Sequence, residues 1–199
     1  MSALFHLVRH AAHDRVSDTL CGRAPGISLG ASGAAQASRL AELFATEQID
    51  CVLASPLERA RETAEEIGRG TGRPVEILDG LMEIDFGDWT GMRFEALAQD
   101  RRWTAWNTAR GVNRPPSGES MLEAQVRIVT AMEKLRTAGS QRVFVLVSHA
   151  DMIKAALLYH LGLPLDAYSR LEIEPASVST IEVGAWGSRV LRLNAAAGS

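Results

Sequence analysis

The sequence predicts an α/β sandwich built on a mainly parallel sheet. Short apolar runs of strand length alternate with longer stretches whose apolar residues recur at helical spacing, over nearly all of the 199 residues. A hydrophobic content of 46% with 23% charged residues is ordinary for a globular protein and sufficient for one sizeable core. We therefore expect a single domain over residues 1–199.

The predicted strands are apolar runs that end at charged or turn-forming residues. They span Ala3–Val8, Cys51–Ala54, Val75–Leu78, Val143–Val147, Val178–Val183 and Val190–Leu193. Helices are predicted where apolar residues fall three and four positions apart, so that one face is buried. These stripes are Ala37, Leu40, Ala41 and Phe44; Leu57, Ala60, Ala64 and Ile67, following Pro56 at the helix start; Met121, Ala124, Ile128, Met132 and Leu135; and the apolar stretch 151–161.

Between Phe86 and Pro116 neither period persists. This stretch is rich in tryptophan, arginine, proline and glycine. We interpret its central part, about 90–115, as an irregular insertion or lid, whose arginines and tryptophans contact the part of a substrate beyond the reacting group. The alternative is a solvated, salt-bridged cap with its tryptophans in a small satellite core.

Charge and cysteine content exclude several classes of protein. Lys and Arg number 21 against 24 Asp and Glu, a net charge of −3, and no basic run predicts a nucleic-acid or membrane partner. Cys21 and Cys51 indicate neither a disulfide framework nor a zinc site. The first apolar run meets Arg9 and His10 too early for a signal peptide, and no run reaches membrane-spanning length. We expect a cytoplasmic protein.

Two histidines each follow directly on a predicted strand. Arg9 and His10 come after the run FHLV. Ser148 and His149 come after VFVLV. Because the carboxyl ends of parallel strands share one edge of a sheet, neighbouring strands would bring both imidazoles to one ligand-binding crevice. Arg59, near the start of a helix opening at that edge, adds a second guanidinium. Such a crevice suits a phosphate dianion, since each arginine makes parallel charge-assisted hydrogen bonds.

Several motifs then occur in an order typical of one family. They are LVRHA at 7–11, the pattern from Gly22 to Gln36, SPLERARETA at 55–64, LMEIDFGDWTG at 81–91, PSGES at 116–120 and VSHAD at 147–151. In these motifs the chain resembles the histidine phosphatase superfamily, also called phosphoglycerate-mutase-like, and its phosphatase branch in particular. The resemblance implies a three-layer α/β/α fold, a mixed sheet with one antiparallel strand, and a transient phosphohistidine.

The resemblance also implies roles for individual residues. His10 would be the nucleophile, while Arg9, Arg59 and His149 hold the phosphoryl oxygens. Glu83 would be the general acid that protonates the leaving alkoxide and later, as a carboxylate, activates water. No metal or other cofactor is needed in this scheme, since arginines and histidines neutralise the charge.

Glu83 needs a raised pKa for its role, and Phe86 and Trp89 are the apolar residues expected to provide it. Substrate contacts are further predicted for Arg23, Trp89 and Ala150. Whether His10 is neutral stays open, because the two arginines disfavour its protonation whereas a phosphate favours it.

The chain departs from the family at four positions. Ala11 and Ala150 stand where members usually have glycine after each histidine, and a tight positive-φ turn would be disfavoured there. His13 and Val16 replace a hydroxyl residue and an asparagine, so an asparagine contact to phosphate is expected to be lost.

Other interpretations stay open at this point. Arg59 could merely pair with Glu58 or Glu62 on a solvated helix face. Glu83 could cap a turn on the surface. A divalent-metal cluster could be formed by His10, His13, Asp14, His149 and Asp151, although their spacing fits no specific motif.

We expect a phosphoric monoester hydrolase acting on a small phosphorylated metabolite. One alternative is a phosphoglycerate-mutase-type phosphomutase, in which the group returns to a second hydroxyl. The other is a non-catalytic module that binds a phosphorylated ligand. The sequence identifies no particular substrate, and it leaves a homodimer open.

Overall fold

The computed structural model describes residues 2–15, 18–139 and 141–197, which form a six-stranded sheet with helices on both faces. The strands are Ser2–Arg9 (β1), Cys51–Ala54 (β2), Val75–Ile77 (β3), Arg142–Ser148 (β4), Ser177–Gly184 (β5) and Gly187–Ala196 (β6). The helices are Ala31–Phe44 (α1), Glu58–Thr71 (α2), Phe94–Leu97 (α3), Arg101–Thr108 (α4), Met121–Thr137 (α5) and Ala150–His160 (α6). Short 3₁₀ helices span Asp79–Leu81, Gly87–Trp89 and Leu165–Arg170.

The strand order across the sheet is β3-β2-β4-β1-β5-β6. Strands β3, β2, β4 and β1 are mutually parallel, whereas β5 runs antiparallel to both of its neighbours. The parallel pairs are joined through helices, as parallel pairing requires. The predicted mixed sheet with one antiparallel strand is confirmed.

Alternate residues of the central strands face opposite layers. In β4, Phe144 and Leu146 pack with residues of α5 and α6, whereas Val145 and Val147 pack with residues of α1 and α2. Side chains of a strand alternate between its two faces, so this run of buried residues serves both cores. The result is the predicted three-layer α/β/α arrangement.

Local sequence features explain the start of α5 and the packing of α1. Ser120 caps α5: its Oγ accepts from the backbone N–H of Glu123 at 3.2 Å, and the Glu123 carboxylate accepts from the Ser120 N–H at 2.8 Å. Helix α1 packs closely on the loop after β1. A Cβ built on Gly33 would lie 1.9 Å from the carbonyl oxygen of Ala12, so only glycine allows this approach.

The segment 90–115 is more regular than predicted. It contains α3 and α4, and Leu97 and Trp106 are fully buried in the same core as Trp89. Helices this short carry no long apolar stripe and are stabilised by tertiary packing, which explains why periodicity missed them. Several of its arginines form ion pairs on the surface, namely Arg93 with Asp18, Arg102 with Asp100, and Arg114 with Glu123.

Helix length and polarity also bear on membrane insertion. Among residues 2–15, 18–139 and 141–197, every helix is too short or too polar to cross a bilayer.

Candidate active site

The two strand-ending histidines lie side by side. Strands β1 and β4 are neighbours, with Arg9 opposite Ser148, and the His10 backbone N–H donates to the Ser148 carbonyl at 2.9 Å. The ring centroids of His10 and His149 are 5.1 Å apart. The structure therefore brings both imidazoles to one edge of the sheet, as expected.

Arg59 joins them from the first turn of α2, and its side chain is only 2% exposed. Its Nε donates to His10 Nε2 at 3.2 Å, and its Nη2 donates to the Gly22 carbonyl at 2.8 Å and lies 3.2 Å from His149 Nδ1. Gly22 adopts φ +49°, a conformation that glycine accepts readily. The guanidinium thus connects both histidines to the loop that contains Gly22.

The alternative partners of Arg59 are engaged elsewhere. Glu58 accepts from the backbone N–H of Gly26 at 3.0 Å, and Glu62 accepts from that of Leu29 at 2.7 Å. Both carboxylates therefore fasten the loop before α1 and do not form the surface pair with Arg59 that the sequence left open.

Hydrogen bonding fixes the tautomer of His10. Its Nδ1 lies 2.8 Å from the Ala11 carbonyl oxygen, which can only accept, so Nδ1 carries the proton and Nε2 holds a lone pair. Burial, followed by the charge of Arg59, lowers the pKa of His10 well below its usual value. The imidazole is therefore neutral in the site as described, which the sequence alone left undecided.

His149 is held in the complementary orientation. Its Nε2 lies 2.8 Å from Ser55 Oγ, and its Nδ1 faces the Arg59 guanidinium, which can only donate. Nε2–H therefore donates to Ser55, and Nδ1 accepts. Burial and the charge of Arg59 lower the pKa of His149 well below normal. Ser55 is fully buried beside Pro56, and sequence reasoning did not single it out.

Glu83 lies across the crevice, with its Oε2 3.9 Å from His149 Nδ1. Its Oε1 accepts from the backbone N–H of Ile84 at 2.9 Å. Burial, helped by the negative charge of Asp151, raises the pKa of Glu83 to about 7. A carboxyl group with this pKa exchanges protons near neutral pH, as an acid–base catalyst must. It is not the exposed turn cap of the alternative interpretation.

Arg23 does not line the pocket but lies behind Glu83. Its Nε donates to the Glu83 carbonyl at 2.7 Å and its Nη2 to Glu119 at 3.0 Å. Arg127 supports the same segment by donating to the Met82 carbonyl at 2.7 Å. Both arginines hold the backbone of the segment that carries Glu83. Arg23 was predicted to contact the substrate, but in the structure it positions Glu83 and does not line the pocket.

Trp89 is likewise remote from the pocket lining. It is 1% exposed, its indole N–H donates to Asp100 at 3.1 Å, and its ring packs edge-on against Trp103 with centroids 5.3 Å apart. Its ring is buried among core residues and does not reach the pocket surface, so the structure does not give Trp89 the predicted contact with substrate. Phe86, predicted beside it, does line the pocket.

The pocket has a volume of about 140 Å³. Its lining consists of Arg9, His10, His13, Thr19, Leu20, Cys21, Gly22, Arg59, Glu83, Phe86, Phe94, Ala150 and Asp151. Ala150 therefore lines the pocket, in the first turn of α6, where helix N–H groups favour anions, and its contact with substrate stays a prediction.

Two guanidinium nitrogens indicate what the pocket binds. Among the described residues, Arg9 Nε and Arg59 Nη1 are buried without a hydrogen-bond partner and belong to residues that line the pocket; Nε and Nη1 of Arg110, outside the lining, are in the same state. Arg9 is anchored by its Nη1, which donates to the Ile173 carbonyl at 2.6 Å. Buried donors are almost always paired in native proteins, and charged ones especially so. An anion between the two arginines would supply the acceptors.

The family departures have different structural outcomes. Neither Ala11 nor Ala150 adopts positive φ among the described residues, so the added methyl groups cause no strain. The Ala11 N–H donates to Thr63 Oγ1 at 3.0 Å. His13 lines the pocket, with its ring 5.5 Å from that of His10 and tilted by 26°. Val16 lies outside the described residues.

The geometry does not reproduce the cluster considered as a metal site. Within the described ranges, no group of three or more His, Cys, Asp or Glu side chains is placed to hold a metal ion. Asp151 instead forms an ion pair with Arg110 at 2.8 Å. Sequence reasoning did not find this pair, because the two residues are 41 positions apart and meet only through the packing of α6.

This fold and this pocket define a class of protein: an enzyme that acts on phosphoryl groups. Neutral imidazoles meet two guanidiniums, each with one buried nitrogen that lacks a partner among the described residues, at the ligand-binding edge of a parallel sheet, and both groups suit a phosphoryl group. The chain belongs to the histidine phosphatase superfamily (branch 1), whose family model matches residues 5–196.

Curated relatives carry phosphatase names. The chain is 30% identical over 201 residues to phosphoserine phosphatase 1 of Hydrogenobacter thermophilus, covering 94% of this chain and 90% of the relative. It is 28% identical over 180 residues to the adenosylcobalamin/alpha-ribazole phosphatase of Escherichia coli, covering 89% and 88%. These similarities support an enzyme with phosphatase activity.

A solved structure is similar over nearly the whole chain. The native structure of mycobacterial glucosyl-3-phosphoglycerate phosphatase superposes with a TM-score of 0.89 at 25% identity, covering 98% of this chain and 100% of that one. The three relatives are named for three different substrates, so the substrate of this chain has to be inferred from its own pocket.

Proposed function

We propose that the protein hydrolyses phosphoric monoesters of small metabolites through a transient phosphohistidine on His10. Arg9, Arg59 and His149 hold the phosphoryl oxygens, and Glu83 transfers protons. No step of this scheme requires a metal ion, because the guanidiniums and imidazoles neutralise the phosphoryl charge.

In the first step, His10 Nε2 attacks phosphorus in line with the leaving oxygen. The P–N bond forms as the ester P–O bond breaks, and protonated Glu83 gives its proton to the departing alkoxide. Arg59 Nε, which donates to His10 Nε2 at 3.2 Å, exchanges this acceptor for a phosphoryl oxygen when the ester binds. The product alcohol then leaves.

In the second step, Glu83 acts as a carboxylate. It takes a proton from water, the water oxygen attacks phosphorus, and the P–N bond breaks to release orthophosphate. His10 recovers its lone pair, and Glu83 is again protonated. A pKa near 7 allows both forms to be populated around neutral pH.

One observation carries the proposal. The Ala11 carbonyl fixes the proton of His10 on Nδ1 and leaves the Nε2 lone pair beside Arg59, whose Nη1 is buried without a partner. The lone pair of His10 Nε2 can attack phosphorus, and the adjacent Nη1 of Arg59 can bind a phosphoryl oxygen. The two groups together therefore fit a phosphoryl group that is bound in position for attack.

The test is rapid acid-free quenching after mixing with a radiolabelled phosphate ester. We expect an acid-labile, base-stable label on wild type and none on His10→Ala. His6→Ala is a suitable control, because His6 is also a buried histidine of β1, bonded to Thr180. Turnover that persists in His10→Ala would overturn the proposal.

The same reactions separate the alternatives. Release of orthophosphate supports hydrolysis, whereas dominant transfer between two hydroxyls of phosphoglycerate would indicate the phosphomutase. Phosphate binding without any phosphohistidine would indicate the non-catalytic module. Full activity after treatment with a chelator is expected; loss of activity that one divalent ion restores would favour the metal interpretation.

A further inference from the structure

Three imidazoles lie beside the phosphoryl-binding arginines, and two of them already use their N–H groups within the protein. His10 carries its proton on Nδ1, which donates to the Ala11 carbonyl at 2.8 Å. His149 donates its Nε2–H to Ser55 Oγ at 2.8 Å, so it can donate to a phosphoryl oxygen only after its Nδ1 gains a proton. In the state described, neither ring offers an N–H to a bound anion.

The third imidazole belongs to His13, which packs against the nucleophile. His13 is buried and lines the pocket, and its ring stacks with that of His10 at a centroid distance of 5.5 Å. After burial, the charges of Arg59 and Arg9 contribute most to lowering its pKa. The ring of His13 is therefore close to the two guanidiniums that are proposed to bind the phosphoryl group.

Hydrogen bonding fixes the tautomer of His13. The backbone N–H of Arg15 donates to His13 Nδ1 at 3.3 Å, so Nδ1 is an acceptor and the proton of the neutral ring is on Nε2. Burial and the two guanidinium charges lower the pKa of His13 to about 4, so the ring is neutral at neutral pH. A second proton would add to Nδ1, which means that Nε2 carries a hydrogen in either charge state.

The Nε2–H of His13 is open to a ligand. Its other ring nitrogen accepts from Arg15, but no group within residues 2–15, 18–139 and 141–197 bonds Nε2. The fully buried nitrogens without a partner include Arg9 Nε and Arg59 Nη1 but not His13 Nε2, so protein atoms do not enclose it. Because the ring lines the pocket, an acceptor that enters the pocket can take this hydrogen bond.

Resting on the proposed function, we infer that His13 is a further phosphoryl-binding residue, whose Nε2–H donates to a non-bridging oxygen of the group held by Arg9 and Arg59. A phosphoryl dianion has three such oxygens, and each accepts more than one hydrogen bond, so it takes this donor in addition to the guanidinium nitrogens. The influence of both guanidiniums on the ring favours a phosphoryl oxygen over the alcohol part of the ester as the acceptor.

Equilibrium dialysis with radiolabelled orthophosphate tests this contact without requiring turnover. His13→Ala removes the donor, and we expect Kd for phosphate to rise by about ten-fold or more, as for a lost hydrogen bond to a charged group. His13→Gln restores an N–H at a similar distance from the backbone, and its Kd should stay within about three-fold of wild type. His6→Gln is the control and should leave Kd unchanged, because His6 is a buried histidine of β1 that bonds Thr180.

The dissociation constant does not depend on the fraction of folded protein, so partial misfolding of a variant lowers only the number of sites. An unchanged Kd in His13→Ala would overturn the inference. Equal increases in His13→Ala and His13→Gln would also overturn it, because the ring would then act by filling space and not by donating. If Kd for phosphate is unchanged but KM for one ester rises, the donor contacts the alcohol part, and the inference is wrong.

Nuclear magnetic resonance observes the hydrogen bond directly. In protein with isotope-labelled histidine, the Nε2–H resonance of His13 is identified by its loss in His13→Gln. We expect saturation with orthophosphate to move this proton resonance downfield and to slow its exchange with water. A resonance that stays in place at saturation would overturn the inference.

The two proposals fail in different experiments. Turnover that persists in His10→Ala, or the absence of a phosphohistidine, overturns the proposed function, whereas phosphate binding is measured independently of both. Formation of the phosphohistidine together with an unchanged Kd in His13→Ala overturns only the role of His13.

Discussion

Arg59 donates from Nε to Nε2 of His10 at 3.2 Å, so the buried cation rests on the nitrogen that is proposed to attack phosphorus. This contact lowers the proton affinity of the nucleophile, and it places a phosphoryl-binding group at the point of bond formation. Arg59 therefore contributes to both the electrostatics and the geometry of the site.

Replacing Arg59 with lysine should reduce kcat by about 10² to 10³-fold, because a point charge cannot bond His10, Gly22 and a phosphoryl oxygen together. Steady-state kinetics on an alkyl phosphate measures the loss. Arg61→Lys is the matched control, since Arg61 lies two residues further along α2 and faces Glu65 on the surface at 3.7 Å. Comparable losses in the two variants would contradict the assigned role.

Glu83→Gln should lower kcat on alkyl phosphates by about 10² to 10⁴-fold, because the alkoxide then leaves without a proton. A nitrophenyl phosphate needs no such proton, so its first step survives while water attack is slowed. We expect a burst of nitrophenolate followed by a slow phase in stopped-flow absorbance. An equal loss on both esters, without a burst, would argue against Glu83 as the acid.

Asp151→Asn should shift the pH dependence of activity. Its negative charge helps burial to raise the pKa of Glu83 to about 7, and only protonated Glu83 supports the first step. Wild-type kcat/KM on alkyl esters should therefore fall as pH rises through about 7. In the variant this fall should occur at a pH lower by roughly 1 unit. The exposed Asp14→Asn is the control and should leave the profile in place.

His13→Asn should make the free energy of unfolding depend less on pH in mild acid. Burial, followed by the charges of Arg59 and Arg9, lowers the pKa of His13 to about 4, so the folded state resists its protonation. An unfolded chain binds that proton near the ordinary value. The stability contributed by neutral His13 is thus present above about pH 6.5 and is lost as pH falls towards 4.

Urea denaturation at neutral pH and at pH 4.5 measures this difference. The free energy of unfolding of wild type should fall further between the two values than that of His13→Asn, by up to about 3 kcal/mol. Identical losses would show that the His13 ring titrates as it does in the unfolded chain.

The sequence predicted those parts of the fold in which local pattern and tertiary burial agree. The strand Cys51–Ala54 has its predicted bounds, and the predicted strand Val143–Val147 lies within β4. Both strands are buried on their two faces, and such strands are continuous apolar runs that are easy to recognise in a sequence. The edge strand β6 is longer than the predicted Val190–Leu193, since an exposed strand alternates with polar residues that dilute the signal.

The site was predictable where a residue follows directly on a strand or begins a helix. His10 and His149 meet because β1 and β4 are neighbours, and Arg59 follows from its place in α2. Contacts between distant segments gave no local signal. Arg23 binding behind Glu83, Trp89 packing in the core and Asp151 pairing with Arg110 all depend on how loops fold over the sheet.

A cytoplasmic location, a single domain over residues 1–199 and the homodimer left open also stay predictions from the sequence. Gel filtration with light scattering would decide the oligomeric state, and limited proteolysis would test the domain assignment.

The pairing of β1 with β4 has a consequence for biosynthesis. The ribosome makes β1 early, but β4, which ends at Ser148, emerges only after more than a hundred further residues, and β1 lies between β4 and β5. The nascent chain must therefore keep an apolar segment unpaired for several seconds at ordinary translation speeds of about 5–20 residues per second. Interrupted translation products would expose this segment, which makes them natural clients for chaperones that hold unfolded chains.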